Sequence, residues 1–124
     1  MFLLRQGEID WTPAVDIYES DDSWLVFIEL PGLTSRDIDL TVNSESIIVR
    51  GKKKPPVREY LAQKLEIYTG WFQREIAVPG RINTGQVTAS MENGILKVVL
   101  PWEREKSVRI PVEGGSTGKD KKRS

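Results

Sequence analysis

The fold of this 124-residue chain is decided by residues 89–101, ASMENGILKVVLP. Val87, Ala89 and Met91 alternate with polar residues, which is typical of a strand with one buried face. Asn93-Gly94 follows, and both residues tolerate positive φ angles, which favours a two-residue hairpin turn. The apolar run after the turn ends at a proline. The stretch therefore predicts two antiparallel strands joined by a tight turn.

The same period of two recurs along the chain and predicts further strands. Residues 24–30 are largely apolar on both faces, which favours a strand buried on both sides or lying at an interface. Residues 37–42 alternate between polar and apolar side chains, so we expect a half-buried strand. Residues 47–49 and 71–78 are two more candidates. Short strands separated by turn signals, with no convincing helix, predict an all-β, immunoglobulin-like antiparallel β-sandwich.

The composition limits the classes of function. Hydrophobic residues make up 39% of the chain, which is enough for one compact core. The 18 basic residues balance the 18 acidic ones, which argues against nucleic acid as a partner because phosphate binding needs a surplus of cations. No apolar run is long enough to span a bilayer, so we expect no stable membrane insertion. The chain is expected in the cytoplasm.

Missing residue types narrow the chemistry. Cysteine and histidine are both absent, which removes thiolate nucleophiles, the commonest general base and the commonest metal ligand. Residues 80–85 have the glycine spacing of a phosphate loop, but Gln86 stands where that loop requires lysine. We interpret the four tryptophans as core and edge residues rather than as a sugar- or base-binding ladder. The sequence predicts no enzyme, no catalytic residue, no cofactor and no metal site.

The segment after the last predicted strand is polar over residues 102–107 and is followed by residues 108–112, VRIPV, which are apolar except for Arg109. Ile110 and Val112 point the same way in an extended chain, and Pro111 lowers the entropy that is lost on docking. We predict that this pair plugs a groove; the alternative is a last strand that folds back on its own domain. Burying both side chains stabilises the bound state by about 3–5 kcal/mol. The loss of translational and rotational freedom on association costs about 4–15 kcal/mol. Several plugs per assembly would therefore be needed, and the subunits would exchange.

These observations divide the chain into three parts. Residues 1–10 form a short arm, residues 11–101 a domain, and residues 102–124 an extension with the Ile-Pro-Val anchor. The basic end of the extension, residues 114–124, has no apolar side chain and is predicted to be a disordered, solubilising tail. Residues 58–67 are ambiguous, because their composition is acceptable in a helix.

The order of these motifs resembles that of the small heat-shock proteins, which are built on the alpha-crystallin domain. The resemblance covers about residues 11–112. It is carried by Pro13 to Glu19, Leu30-Pro31-Gly32, residues 38–51, Gly70-Trp71-Phe72-Gln73-Arg74, Ala89 to Leu96, and Ile110-Pro111-Val112. Within it, Asn93, Gly94 and Leu96 match the signature turn of the family, Ala-x-x-x-Asn-Gly-Val-Leu.

The resemblance implies an ATP-independent holdase chaperone, which binds unfolding client proteins, prevents their aggregation and leaves refolding to ATP-driven chaperones. It also implies that residues 58–67 carry a strand exchanged with a partner in a homodimer. The implied dimer-interface residues are Tyr60, Leu61, Leu65, Ile67 and Arg74, with Arg74 pairing with carboxylates across the dimer. The implied groove for the anchor of a neighbouring dimer is lined by Ile38, Leu40, Val42, Val87 and Ala89.

The chain departs from the family at its N-terminal end. The family usually has a long apolar arm before the domain, whereas only residues 1–10 precede it here. Within this arm, Phe2, Leu3, Leu4 and Ile9 are expected to form a small exposed patch for client binding or assembly. The short arm predicts dimers or modest assemblies.

Two other functions stay open on the sequence. A co-chaperone or scaffold module of the same sandwich type would bind one folded partner and would not affect aggregation. A hydrolase would need two carboxylates across a cleft, one with a raised pKa. Asp37 and Asp39 share a strand face, but a solvated face explains them more simply than a catalytic pair.

Overall fold

The computed structural model describes residues 3–104 and 107–115, and this part of the chain contains seven strands. They are β1 (Val15–Glu19), β2 (Ser23–Glu29), β3 (Ile38–Val42), β4 (Ser46–Lys53), β5 (Gly70–Ala77), β6 (Thr88–Glu92) and β7 (Ile95–Pro101). Its helical elements are three single 3₁₀ turns at Gln6–Glu8, Ser35–Asp37 and Thr84–Gln86. The prediction of an all-β chain is confirmed. Most of the tail predicted to be disordered, residues 116–124, lies outside the described residues.

The strands form two antiparallel sheets. One sheet has four strands in the order β1-β2-β7-β6, and the other has three in the order β3-β4-β5. The β2–β7 pair joins segments about seventy residues apart, with Trp24 opposite Leu100 and Ile28 opposite Leu96. This confirms the predicted antiparallel sandwich, whose core lies between the two sheets.

Side chains that alternate along the strands build that core. On β2, Trp24, Val26 and Ile28 are buried, whereas Leu25 and Phe27 on the outer face are half-buried. The facing strands and β7 contribute Ile47, Val49, Phe72, Ile76, Leu96, Val98 and Leu100. Full burial of each such side chain is worth about 1.5–3 kcal/mol. This layer is therefore the main source of stability.

The tryptophans lie in the core and at its edges, as predicted. Trp24 is 6% exposed, and its ring centroid is 5.8 Å from that of Trp102. Trp11 packs against the other end of the core, with its ring centroid 5.0 Å from that of Phe72. Trp71 is half-buried, and the Lys52 ammonium lies 5.4 Å from its ring centroid. The rings therefore have different surroundings and do not form one binding ladder.

The turn between β6 and β7 is the predicted two-residue hairpin. Asn93 has a φ of 53° and Gly94 a φ of 76°, both in the left-handed region that a type I′ turn requires. The strand residues on either side of the turn pair with each other. The carbonyl of Gly94 also accepts a hydrogen bond of 2.7 Å from the N–H of Leu30. The turn therefore also holds the chain where it leaves β2.

Gly51, on β4, provides a test of how tightly the sandwich is packed. A Cβ atom at this position would collide with the carbonyl oxygen of Asp37 and would lie 2.7 Å from the ring of Phe72. We predict that Gly51→Ala lowers the free energy of unfolding by about 2–3 kcal/mol, because a crowded core must shift to admit the methyl group. Urea unfolding measures this change. The control is Gly114→Ala, where nothing lies within 4 Å of the added atom; equal stability of the two variants would contradict the prediction.

Candidate functional site

Two edge strands, one from each sheet, lie at the same side of the sandwich. Trp11, just before β1, forms a bridge with Phe72 of β5, so the β1 and β5 edges are neighbours. The other two edge strands, β3 and β6, therefore lie at the opposite side. We call the surface between them the edge groove. It is lined by Ile38, Leu40 and Val42 from β3, and by Val87, Ala89 and Met91 on or beside β6.

The register of the strands turns these side chains inward. Leu40 is opposite the buried Val49, and Met91 is opposite the buried Leu96. Directly opposite residues of an antiparallel pair lie on the same face of the sheet. The groove residues are half-buried and pack against the core, except for Ala89, whose short side chain leaves it exposed. The edge groove is therefore apolar and open to solvent.

The edge groove contains all five residues that the resemblance implied for it. The sequence placed Met91 on the same strand face as Val87 and Ala89, but Met91 was not among the residues implied for the groove. The strand register now places Met91 on the same face as Ala89. That these residues bind an anchor stays a prediction.

A capped turn determines where β3 begins. The Asp37 carboxylate accepts hydrogen bonds from the N–H and the hydroxyl of Thr34, at 2.8 and 3.1 Å. These two bonds hold the pKa of Asp37 below its ordinary value of 3.8, because they stabilise the ionised form. The stabilising effect is thus present above the ordinary pKa and is lost as the pH falls through the lowered one. Asp39 forms a 3.0 Å ion pair with Arg50, so each carboxylate has its own structural partner.

The predicted anchor does not pack on its own domain. Ile110 is 71% exposed and Val112 is 90% exposed, and Pro111 between them is exposed as well. Residues 107–115 have no regular secondary structure. The alternative, a last strand folding back on its own domain, is therefore not the arrangement of this chain.

The segment between β4 and β5, residues 57–68, is irregular and largely exposed; we call it the exchange segment. Its large apolar side chains are Val57, Tyr60, Leu61, Leu65, Ile67 and Tyr68, which are between 54% and 88% exposed. The strand implied over residues 58–67 is not formed within one chain, because none of the described strands of that chain pairs with it. A strand formed with a partner stays a prediction.

Arg74 joins β5 to the chain that enters β1. Its Nη1 atom donates a 2.9 Å hydrogen bond to the carbonyl oxygen of Pro13. The ion pairs found within residues 3–104 and 107–115 do not include Arg74. The implied pairing of Arg74 with a carboxylate of a partner therefore stays a prediction, whereas its bond to Pro13 is a contact of the single chain.

The N-terminal arm packs against β5. Leu4 is 7% exposed, its N–H donates to Oε1 of Gln73 at 2.7 Å, and its carbonyl accepts from Nε2 of Gln73 at 3.1 Å. The Asp10 carboxylate accepts a 2.7 Å hydrogen bond from the N–H of Trp71, and the carbonyl of Trp71 accepts from the N–H of Asp10 at 2.8 Å. These bonds hold Leu4 and Asp10 of the arm against the same strand.

The prediction that Leu4 belongs to an exposed patch was wrong. The amide of Gln73 pairs with the backbone of Leu4, and the Leu4 side chain is buried in this position. Leu3 is 49% exposed and Ile9 is half-buried, so the patch is smaller than predicted. Phe2 lies outside the described residues.

Neither a metal centre nor a membrane-spanning helix is found among the described residues. Within residues 3–104 and 107–115, no group of three or more His, Cys, Asp or Glu side chains is placed to hold a metal ion. In the same part of the chain, no helix is long and apolar enough to cross a membrane.

The sequence is similar to those of known proteins over most of its length. The model of the Hsp20/alpha crystallin family matches residues 16–113. Small heat shock protein C2 of Rickettsia felis is 35% identical over 105 residues, which cover 82% of this chain and 68% of that protein. Small heat shock protein C4 of the same organism is 32% identical over 104 residues, which cover 82% of this chain and 64% of that protein. The chain thus spans about two thirds of the length of these relatives.

Solved structures with the same architecture were also found. A small heat-shock protein from Xylella fastidiosa superimposes with a TM-score of 0.72 at 25% identity, covering 86% of this chain and 99% of that one. Heat shock protein 16.0 from Schizosaccharomyces pombe gives a TM-score of 0.68 at 26% identity, covering 83% and 99%. The similarity therefore extends over nearly all of each solved chain.

The attachment of the arm to β5 can be tested at Asp10. We predict that Asp10→Ala lowers the free energy of unfolding by about 1 kcal/mol, because the N–H of Trp71 loses a charged acceptor. Trypsin cleavage after Arg5 should become several-fold faster, since the arm must leave β5 to enter the protease. Asp21→Ala, at an exposed turn residue, is the control. Equal cleavage rates in the two variants would show that Asp10 does not hold the arm.

Proposed function

Because the chain belongs to the Hsp20/alpha crystallin family, we propose that it is an ATP-independent holdase chaperone, which binds unfolding proteins and prevents their aggregation. The observation that carries this proposal is that the most exposed apolar side chains lie outside the buried core. Within the described residues, every large apolar side chain that is 67% or more exposed lies in the exchange segment or in residues 108–112. Contiguous exposed apolar surface is typical of sites that bind other chains.

In this proposal the exchange segment forms the homodimer. It crosses to a partner and becomes a strand there, so that its backbone gains hydrogen bonds and its apolar side chains leave water. The four-stranded sheet ends at β1, whose residues after Val15 are exposed. The β5 edge is partly occupied by the arm, and β3 and β6 line the edge groove. β1 is therefore the free edge best suited to receive the strand.

The anchor links such dimers into larger assemblies. Ile110 and Val112 would enter the edge groove of a neighbouring dimer, with Pro111 restricting the segment before it binds. Full burial of the two side chains gives about 3–5 kcal/mol, which one contact cannot turn into a stable complex against the cost of association. Several anchors acting together raise the effective concentration, so assemblies form and still exchange subunits.

In this proposal, client binding is an equilibrium that depends on the concentration of unfolding protein. An unfolding protein exposes apolar segments, which compete with anchors and exchange segments for the same surfaces. The competition needs no nucleotide and no catalytic group, so the proposal includes that the chain is not an enzyme. It also includes a cytoplasmic location, and release of clients to ATP-driven chaperones that refold them.

Light scattering of a heat-labile test protein, measured without ATP, is the direct test of the holdase proposal. We predict that this chain suppresses scattering at near-stoichiometric ratios, because its apolar surfaces cover those of the client. An inert protein at the same mass concentration is the control. Absence of suppression by the folded chain, together with a stoichiometric complex with one folded protein, would instead favour a co-chaperone or scaffold module.

The role of the exchange segment can be tested at Leu61 and Leu65, which are 88% and 81% exposed in the single chain. We predict that Leu61→Ser/Leu65→Ser converts dimers to monomers without unfolding the domain, because these side chains are buried only against a partner. Size-exclusion chromatography with multi-angle light scattering measures the mass, and circular dichroism monitors the fold. The matched control is Glu59→Ser/Gln63→Ser, at exposed polar positions of the same segment. Dimers that survive the leucine substitutions would rule out this interface.

A further inference from the structure

We propose that the anchor has three side chains rather than two, and that Val108 enters the edge groove together with Ile110 and Val112. The inference rests on the proposed docking of the anchor in the edge groove of a second copy. It adds a residue that the two-residue anchor does not include, and it predicts which positions of the extension determine affinity.

The anchor segment offers three equivalent side chains. Val108, Ile110 and Val112 are 72%, 71% and 90% exposed, so none of the three is used by its own domain. They are two residues apart, and in an extended chain they point to one side. Ser107 and Arg109 point to the other side, so the segment has one apolar face and one polar face. The apolar face therefore continues on both sides of Ile110, to Val108 and to Val112.

The edge groove has the matching length. Each of its strands turns three successive inward positions toward the core, which are 38, 40 and 42 on one side and 87, 89 and 91 on the other. Four residue steps along a strand span about 13 Å, both in the groove and from Val108 to Val112. Ile110 and Val112 alone cover about half of that length. The third side chain is needed to remove the rest of the groove from water.

The sizes of the side chains agree with this alignment. On the β6 side of the groove, the central residue is Ala89, which is smaller than Val87 and Met91 on either side of it. In the three-residue anchor, the central residue is Ile110, which is larger than the two valines that flank it. The largest anchor side chain therefore meets the smallest groove residue, which close packing favours. Because the anchor is valine at both ends, the match holds for either direction of the docked segment.

The test measures binding of a fluorescent peptide of residues 107–115 to the full chain. The receptor carries Ile110→Ser/Val112→Ser, so that its own anchor does not compete. Three peptides are compared: the natural one, Val108→Ser, and Arg109→Ser as the matched control on the opposite face. We expect Val108→Ser to bind about tenfold more weakly than the natural peptide, because a buried valine is lost. The Arg109→Ser peptide should stay within about twofold of the natural one.

A second receptor variant, Ala89→Phe, separates failure of the inference from failure of the docking proposal. Ala89 is exposed, so the added ring fills the groove without entering the core, and circular dichroism checks the fold. The expected result is loss of binding of all three peptides. Equal affinities of the Val108→Ser and Arg109→Ser peptides would overturn the third contact while the docking stands. No binding of the natural peptide, or binding that Ala89→Phe leaves unchanged, would overturn the docking and the three-residue anchor together.

Discussion

The rest of this structure depends on the burial of one apolar layer between two sheets. The inner strands β2 and β7 face β4 and β5, and their inward residues are almost fully buried, with Val26, Ile28, Val49, Phe72 and Val98 at 0% exposure. Among the described residues, none of the side chains that form this buried layer comes from the exchange segment or from residues 108–112. Since the domain does not need those apolar residues, they are available for contacts with other chains.

The four sheet edges are used in different ways, and the differences determine which contacts the domain can make. The arm occupies part of the β5 edge through Asp10 and Gln73. β3 and β6 leave an apolar groove between them, whereas β1 is an exposed edge strand. An unpaired sheet edge can pair with a strand of another chain. Since one edge is partly covered here and others are open, the number of edges at which a second copy can pair is limited. In the proposed assembly, the order of the strands therefore matters in addition to the exposed side chains.

The parts of the fold that could be predicted are those that local patterns determine. The hairpin around Asn93-Gly94 needs only neighbouring residues, and the strand over residues 24–30 needs only its own alternation. β1 was not predicted by alternation, because Val15 and Ile17 are the only two apolar positions of a period of two in this five-residue strand, and only Val15 is half-buried. The burial of Leu4 was missed because its partner, Gln73, is 69 residues away.

In the candidate site too, the features that depend on neighbouring residues could be predicted, and those that depend on distant residues could not. Alternation placed Ile38, Leu40 and Val42 on one face of a strand, but only the order of the strands brings that face beside Ala89 and Met91. The exchange segment was ambiguous in sequence and is irregular in the single chain. If the segment becomes a strand in the proposed dimer, its own residues could not have predicted that alone, because a strand needs a second backbone to pair with.

Within the described residues, the last backbone hydrogen bond after β7 limits how far Ile110 can reach from the domain. Backbone hydrogen bonds continue past β7 to Glu103, whose N–H donates to the carbonyl of Arg81 at 2.9 Å. Ile110 is seven residues further on, and a fully extended chain of that length reaches about 25 Å. Whatever binds Ile110 must therefore lie within a sphere of about that radius around Glu103. In the proposed docking, the extension therefore limits the separation between neighbouring domains but not their angle, so one sequence could satisfy more than one symmetry.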